Sequence, residues 1–233
     1  YDNLVYVILH FPVIKGTNGK SEEQEIDFIV GKNFLVTVRY GSIEPVQSFS
    51  KLFEKSIHAH EKPHMHGGYL FGQLMKELYK SSLDELDELT ATVKDIEDRI
   101  FNGQEEAMVK KISHTGRKLL DFKQAVRFHH DILSSFEVTS TKLFGKEYAY
   151  QANFITSEFN KVNSLLESNR DALSELQRTN DSLLSTRTND IMRTFTIMTF
   201  VMMPLTIITG VFGMNTAESL TFIENKSDFF FVV

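Results

Sequence analysis

The residues with the clearest chemistry lie between Asn189 and Asn215, NDIMRTFTIMTFVMMPLTIITGVFGMN. No charged residue occurs from Thr194 to Ala217. A hydrocarbon core of about 30 Å is crossed by roughly 20 apolar residues in a helix, so the stretch is long enough to span one. Met192, Phe195, Thr199, Met203, Thr206 and Gly210 follow one another in steps of three or four and share one face of a helix. That face mixes thioether, hydroxyl and bare backbone. Ile197, Phe200, Val201, Ile207, Ile208 and Val211 supply the greasier remainder. Such a face suits a polar pathway, and equally a membrane anchor packing its small residues on a neighbour. Pro204 removes one helix hydrogen bond inside the span, which in lipid needs support from neighbouring helices or hydroxyls.

The end of the span resolves that choice. Gly213-Met214-Asn215, preceded by Phe212 and by Pro204-Leu205-Thr206, resembles the signature of the CorA family of magnesium transporters. That family carries Gly-Met-Asn, usually after Tyr, at the outer end of its first transmembrane helix. The resemblance takes in Asn189, Met192, Pro204, Thr206 and Gly210, and the upstream LLESNRDALSELQRTNDSLLSTRTNDIMR resembles the long helix that feeds the family's pore. It implies a homopentamer whose first transmembrane helices line a pore for Mg²⁺. On that pattern Asn215 contacts the hydrated ion at the entrance, helped by the backbone of Gly213 and Met214. Thr199, Thr206 and Gly210 share the pore-lining stripe, with Thr206 on a wider polar stretch. Met203, Phe195 and Met192 form a hydrophobic neck, and Asn189 a ring below it. The chemistry is coherent: Mg²⁺ gives up its waters reluctantly, and a neutral amide oxygen engages a hydration shell without the grip of a carboxylate. Two positions depart from the pattern. Phe212 replaces the usual Tyr, and Phe195 is bulkier than the usual aliphatic residue.

The resemblance also implies that internal Mg²⁺, bound between cytosolic domains, holds the pore shut. Asp84, Glu85 and Glu88 are the candidate regulatory donors, carboxylates being suited to hard cations. They belong to an acidic cluster with Asp87, Asp95, Glu97 and Asp98 whose simpler reading is a solvated face. Within the same family, Zn²⁺, Co²⁺ or Ni²⁺ is the alternative cargo. From another class, the chain reads as a membrane-anchored coiled-coil scaffold. An enzyme is not indicated: the sequence holds no P-loop, no Gly-x-Ser-x-Gly, no HExxH and no cysteine.

The elements that must position the stripe follow from composition and periodicity. The 233 residues carry a net charge of −6 and no Cys, which excludes disulfides and Cys-ligated metal, argues against nucleic acid and suits a handler of cations. Leu4 to Phe11 and Phe34 to Arg39 read as strands, with a third at Ile26 to Val30 and a polar loop from Lys15 to Glu25. A helix begins at Val46 to Phe53. His58, His60, His64 and His66 then occupy a segment that could bind Zn²⁺ or Ni²⁺, but their spacing in an irregular stretch fixes no tetrahedral geometry, so a solvated loop is the reading. His129-His130-Asp131 reads likewise as solvated. Tyr69 to Lys80 forms a helix. Leu86, Leu89, Val93, Ile96 and Ile100 form a stripe closed by Asn102-Gly103, and Val109, Ile112, Leu119, Val126, Leu133 and Phe136 return the other way as a helical hairpin. Ile155, Phe159, Val162, Leu166, Leu173, Leu176 and Leu183 make a stalk stripe that includes Asn169 and Asn180, polar residues of the kind that fix register. With no Gly or Pro before Pro204, stalk and span read as one rod from Tyr148 to Val211, on the order of 90 Å long.

The expected fold is therefore a CorA-like, pentameric assembly: an α/β cytosolic domain, then a long helical stalk continuing into a transmembrane helix. Its parts are an α/β domain over 1–80, a helical hairpin over 81–147, a stalk helix over 148–193 and a first transmembrane helix over 194–213. An external loop follows over 214–228, then the start of a second transmembrane helix over 229–233. The chain reads as a fragment trimmed at both ends. Arg178, Arg187 and Arg193 precede the span, while Glu218, Glu224 and Asp228 follow it against Lys226 alone, which places the long domain in the cytosol. The expected setting is a multi-pass protein of the inner cell membrane, ahead of the mitochondrial inner membrane. Its partners are lipid, divalent cations and further copies of itself, with no nucleic acid.

Overall fold

The structure, a computed structural model, describes residues 3–15, 20–58 and 66–213. It divides into two compact units, Tyr1–Asn180 and Asp181–Val233.

The first unit is built on an antiparallel sheet of β1 (Leu4–Lys15), β2 (Lys20–Gly31) and β3 (Leu35–Arg39), in that spatial order. Val5 lies opposite Val30, Val7 opposite Phe28 and Leu9 opposite Ile26. Strand alternation therefore places these six and Phe11 on one face, where all are buried. The hairpin is longer than the apolar pattern suggests. Pro12 pairs with Glu23 and Lys15 with Lys20, so most of the polar run expected as a loop is strand. Ladder bonds join backbones, and polar side chains do not forbid them.

Among the described residues five helices follow: α1 (Glu44–His58), α2 (Gly67–Phe101), α3 (Glu105–Val126), α4 (His129–Phe144) and α5 (Ala149–Gly213), with a 3-10 turn at Lys146–Tyr148 before the last. The helix expected at Tyr69 does not stop at Lys80 but runs on to Phe101. Leu86, Leu89, Val93, Ile96 and Ile100 are all buried along it. It ends at Asn102, and Gly103 turns the chain at φ +80°, a conformation that favours glycine. The returning stripe is two helices rather than one, broken at Arg127 and Phe128, where the Arg127 amide bonds back only to Gln124. Val109 is 47% exposed, and neighbouring Met108 takes the core position instead.

Aromatic side chains lock the helices to the inner face of the sheet. Phe28 meets Phe71 edge-on at 5.3 Å, Phe71 meets Phe136 at 4.7 Å, and Phe11 meets Tyr79 at 5.7 Å. Burial of each such ring contributes about 1.5–3 kcal/mol. On α5, Ile155, Phe159, Val162, Leu166, Leu173 and Leu176 are buried as the stalk pattern predicts, while Leu183 is half-buried. Asn169 is 4% exposed and spans the seam to α2, its amide donating to Thr90 Oγ1 at 2.9 Å and to the Leu86 carbonyl at 3.4 Å. Asn180 is buried too, and its Oδ1 has no hydrogen-bond partner among the described residues. The expectation of an unbroken helix through the stalk and past Pro204 holds, with α5 continuous over 65 residues.

Candidate functional site

The candidate site occupies the last part of α5, in the second unit. The helix carries Asn189, Met192, Phe195, Thr199, Met203, Thr206 and Gly210 along one side, in steps of three or four, and Gly213 is its last residue. Among the described residues this is the one helix long and apolar enough to cross a membrane. No part of that apolar window is buried within the chain. Met192 and Phe195 are each 60% exposed and Met203 is 62% exposed. A Cβ built on Gly210 or on Gly213 would meet nothing within 4 Å. Packing among the described residues therefore demands neither the apolar face nor the glycines. Met214 and Asn215 lie outside the described residues, as do His60 and His64.

The hydroxyls on this helix share one arrangement. Thr199 Oγ1 donates to the Phe195 carbonyl and Thr206 Oγ1 to the Met202 carbonyl, both at 2.9 Å. Thr194, Thr196 and Thr209 bond back to their own helix in the same way. A threonine whose proton is held by its own backbone offers only lone pairs outward. Thr199 and Thr206 thus present acceptor oxygens on the stripe, the polarity a cation or its hydration water requires. Pro204 has no N–H for the Phe200 carbonyl. A residue in lipid must find that hydrogen bond elsewhere.

The candidate regulatory carboxylates sit on α2 in the first unit. Asp84 and Glu88 are exposed and Glu85 is half-buried. Among the described residues, no group of three or more His, Asp or Glu side chains is placed to hold a metal ion within one chain. Part of the acidic run is committed to the hairpin itself. Asp95 pairs with Lys111 of α3 and with Arg99 at 3.2 Å, and these partners hold its carboxyl below the usual range.

Two histidines depart from the solvated reading. His129 is 1% exposed, at the meeting point of sheet and helices. Its Nε2 lies 2.8 Å from the His10 carbonyl, which can only accept, so Nε2 carries the proton. Nδ1 is then an acceptor, and the buried Tyr79 hydroxyl donates to it at 2.9 Å. Burial pulls the His129 imidazole down to about 4 and pushes the Tyr79 phenol well up, so both are neutral at ordinary pH. His66 belongs to no loop: it is the N-cap of α2, with Nδ1 accepting the Tyr69 amide at 3.1 Å. The sequence carried little signal for either. Histidine is outside the usual capping set, and the partners of His129 lie 119 and 50 residues away.

Comparison with known proteins agrees with this architecture. The family model described as CorA-like Mg2+ transporter protein matches residues 1–233. YfjQ of Bacillus subtilis, named as a metal ion transporter, is 27% identical over 215 residues, covering 88% of this chain and 64% of its own. The cobalt/magnesium transport protein CorA of Thermotoga maritima is 22% identical over 218 residues, covering 92% and 61%. The chain thus spans less than two thirds of the length of either relative. The complete CorA magnesium transporter structure from Methanocaldococcus jannaschii superposes with a TM-score of 0.81 at 19% identity, covering 99% of this chain and 71% of that one. The ZntB cytoplasmic domain from Vibrio parahaemolyticus gives 0.63 at 15% identity, covering 81% and 71%. At these identities the structures show a shared fold.

Proposed function

Because this chain belongs to the CorA-like Mg2+ transporter family, we propose that its full-length form carries Mg²⁺ across a membrane, down the ion's electrochemical gradient. The observation that supports this most is the charge-free stretch of α5 from Thr194 to Gly213, continued in the sequence by Met214-Asn215, with thioethers and outward-facing hydroxyl lone pairs along one side of the helix. The channel is a homopentamer of this chain, and the stripe faces its axis. Gly210 and Gly213, which nothing in the single chain crowds, let backbones approach one another or the ion. Asn215 meets the hydrated ion, with Gly213 and Met214 supplying backbone oxygen. Thr206 and Thr199 offer acceptors to the ion's water shell. Met203, Phe195 and Met192 make an apolar neck above Asn189, which can close by dewetting.

The first unit lies on the cytosolic side, as the arginines before the span suggest. Internal Mg²⁺ holds the channel closed by binding the closed assembly more tightly than the open one. Asp84, Glu85 and Glu88 are the proposed donors. Among the described residues no third donor joins them, and in the proposed assembly a neighbouring protomer supplies the remainder.

A second reading, Co²⁺ as cargo, is favoured by the cobalt/magnesium transport protein among the relatives; Zn²⁺ and Ni²⁺ complete the set to be compared. The test is ion influx into liposomes holding the full-length protein, with each of the four cations in turn. Uptake of Mg²⁺ above the others supports the proposal. Uptake of a transition metal without Mg²⁺ replaces it with the second reading.

A further inference from the structure

We propose that the exposed face of α5 between Tyr150 and Arg178 is a seam that takes a second copy of this chain, with Arg178 of one copy paired to Glu175 of the next. This seam belongs to the homopentamer proposed above and rests on that reading. Ala152, Phe159, Leu166, Leu173 and Asn180 advance by seven along α5, and all are buried. The helix therefore keeps one side on its own chain. Tyr150, Ser157, Ser164, Asp171 and Arg178 also advance by seven, and all are exposed. Two residues, or about 200° of helix turn, separate the two series, so they lie on opposite sides. Further sevens from Arg178 through Ser185 reach Met192, Thr199 and Thr206, so this face shares its register with the candidate pore stripe.

At the root of α5 the face is aromatic. Tyr150 is 83% exposed and Phe154 is 41% exposed. They border a groove of about 220 Å³ with Tyr69, Gly72, Gln73 and Gln151. Gln151 Oε1 is buried without a hydrogen-bond partner among the described residues. A buried acceptor without a donor costs free energy. Tyrosine and phenylalanine are enriched where proteins meet. A neighbouring copy supplies both the donor and the cover for the rings.

At the other end the face carries its own complement of charge. Arg178 and Glu175 lie 3.7 Å apart within one chain, with side chains 78% and 72% exposed. A pair so exposed contributes little by itself. In a cyclic assembly every α5 stands at the same height. Three residues of helix rise by about 4.5 Å, so the Arg178 guanidinium of one copy reaches the level of the Glu175 carboxylate of the next. One cation and one anion from each copy then close the ring with no charge left over.

The test uses full-length protein in detergent, with assembly read by light scattering over a dilution series. Arg178→Glu and Glu175→Arg, each alone, set like charges against each other at every contact and are expected to dissociate at concentrations about tenfold above wild type. Mixed in equal amounts, the two variants restore opposite charges across most contacts, and tight assembly is expected to return. A pair confined to one chain is broken in both variants and mixing does not mend it, so absence of recovery overturns the proposal. Wild-type assembly by either variant alone overturns it too. A second measurement holds if the charge variants do not fold: Glu175→Cys with Arg178→Cys, in a background without other cysteines, is expected to link chains into covalent species larger than dimers on oxidation. An intact oligomer whose chains stay unlinked overturns this inference alone, whereas a monomeric wild type overturns the homopentamer with it.

Discussion

Acidification should destabilise this protein through His129, and the size of the effect can be worked out. The unfolded chain takes up a proton on this imidazole as pH falls through 6.5, whereas burial delays uptake in the folded protein to about 4. Between those values the unfolded state binds more protons, so stability falls as pH falls. With a fully separated shift the loss is about 1.4 kcal/mol at pH 5.5 and about 2.5 kcal/mol at pH 4.5, relative to pH 7.5. The loss is physically reasonable. A cationic His129 would sit among Phe11, Tyr79 and Phe159, at 5.0, 5.8 and 5.7 Å between ring centres. The assay is urea unfolding of the full-length protein in detergent across pH 7.5 to 4.5, for wild type and His129→Gln. Carboxylates also titrate in this window, but they are common to both proteins and cancel in the difference. Wild type should lose about 2.5 kcal/mol more than the variant over the range. Equal pH slopes for the two proteins would refute the burial argument.

Two structural predictions accompany it. Asn169→Ala removes the amide that bridges α5 to Thr90 and the Leu86 carbonyl and should cost about 1–3 kcal/mol, read as a lowered urea midpoint. Gly67→Ala drives a Cβ into the backbone oxygens of Gly31 and Phe34 and should cost about 1–3 kcal/mol or more, read as a lowered Tm.

The legibility of the fold in the sequence follows from which forces set each element. The α5 seam was readable because one long helix repeats its apolar residues from Ile155 to Leu176 without a breaker, and burial follows the repeat. The same holds from Leu86 to Ile100. The start of β2 was not readable. Its pairing from Lys20 rests on backbone hydrogen bonds, and its polar side chains give no alternation to read. The break between α3 and α4 was hidden for a related reason: neither Gly nor Pro marks Arg127 or Phe128, and both keep near-helical dihedrals. His129 and His130 differ in burial through contacts distant in sequence, which adjacency cannot reveal. On the candidate pore helix, spacing and the absence of charge are local properties, so the stripe from Asn189 to Gly210 could be written down directly. The back-bonding that turns Thr199 and Thr206 into outward acceptors could not, since it depends on the side-chain rotamer.

The central claim is that Asn215 selects the ion. The measurement that tests it most directly is Mg²⁺ influx into liposomes holding the full-length protein, for wild type and Asn215→Ala at matched protein content and verified oligomeric state. The account predicts Mg²⁺ uptake by wild type and its loss in the variant. Unchanged uptake with Asn215→Ala would contradict it, and so would an intact wild-type oligomer that carries no divalent cation.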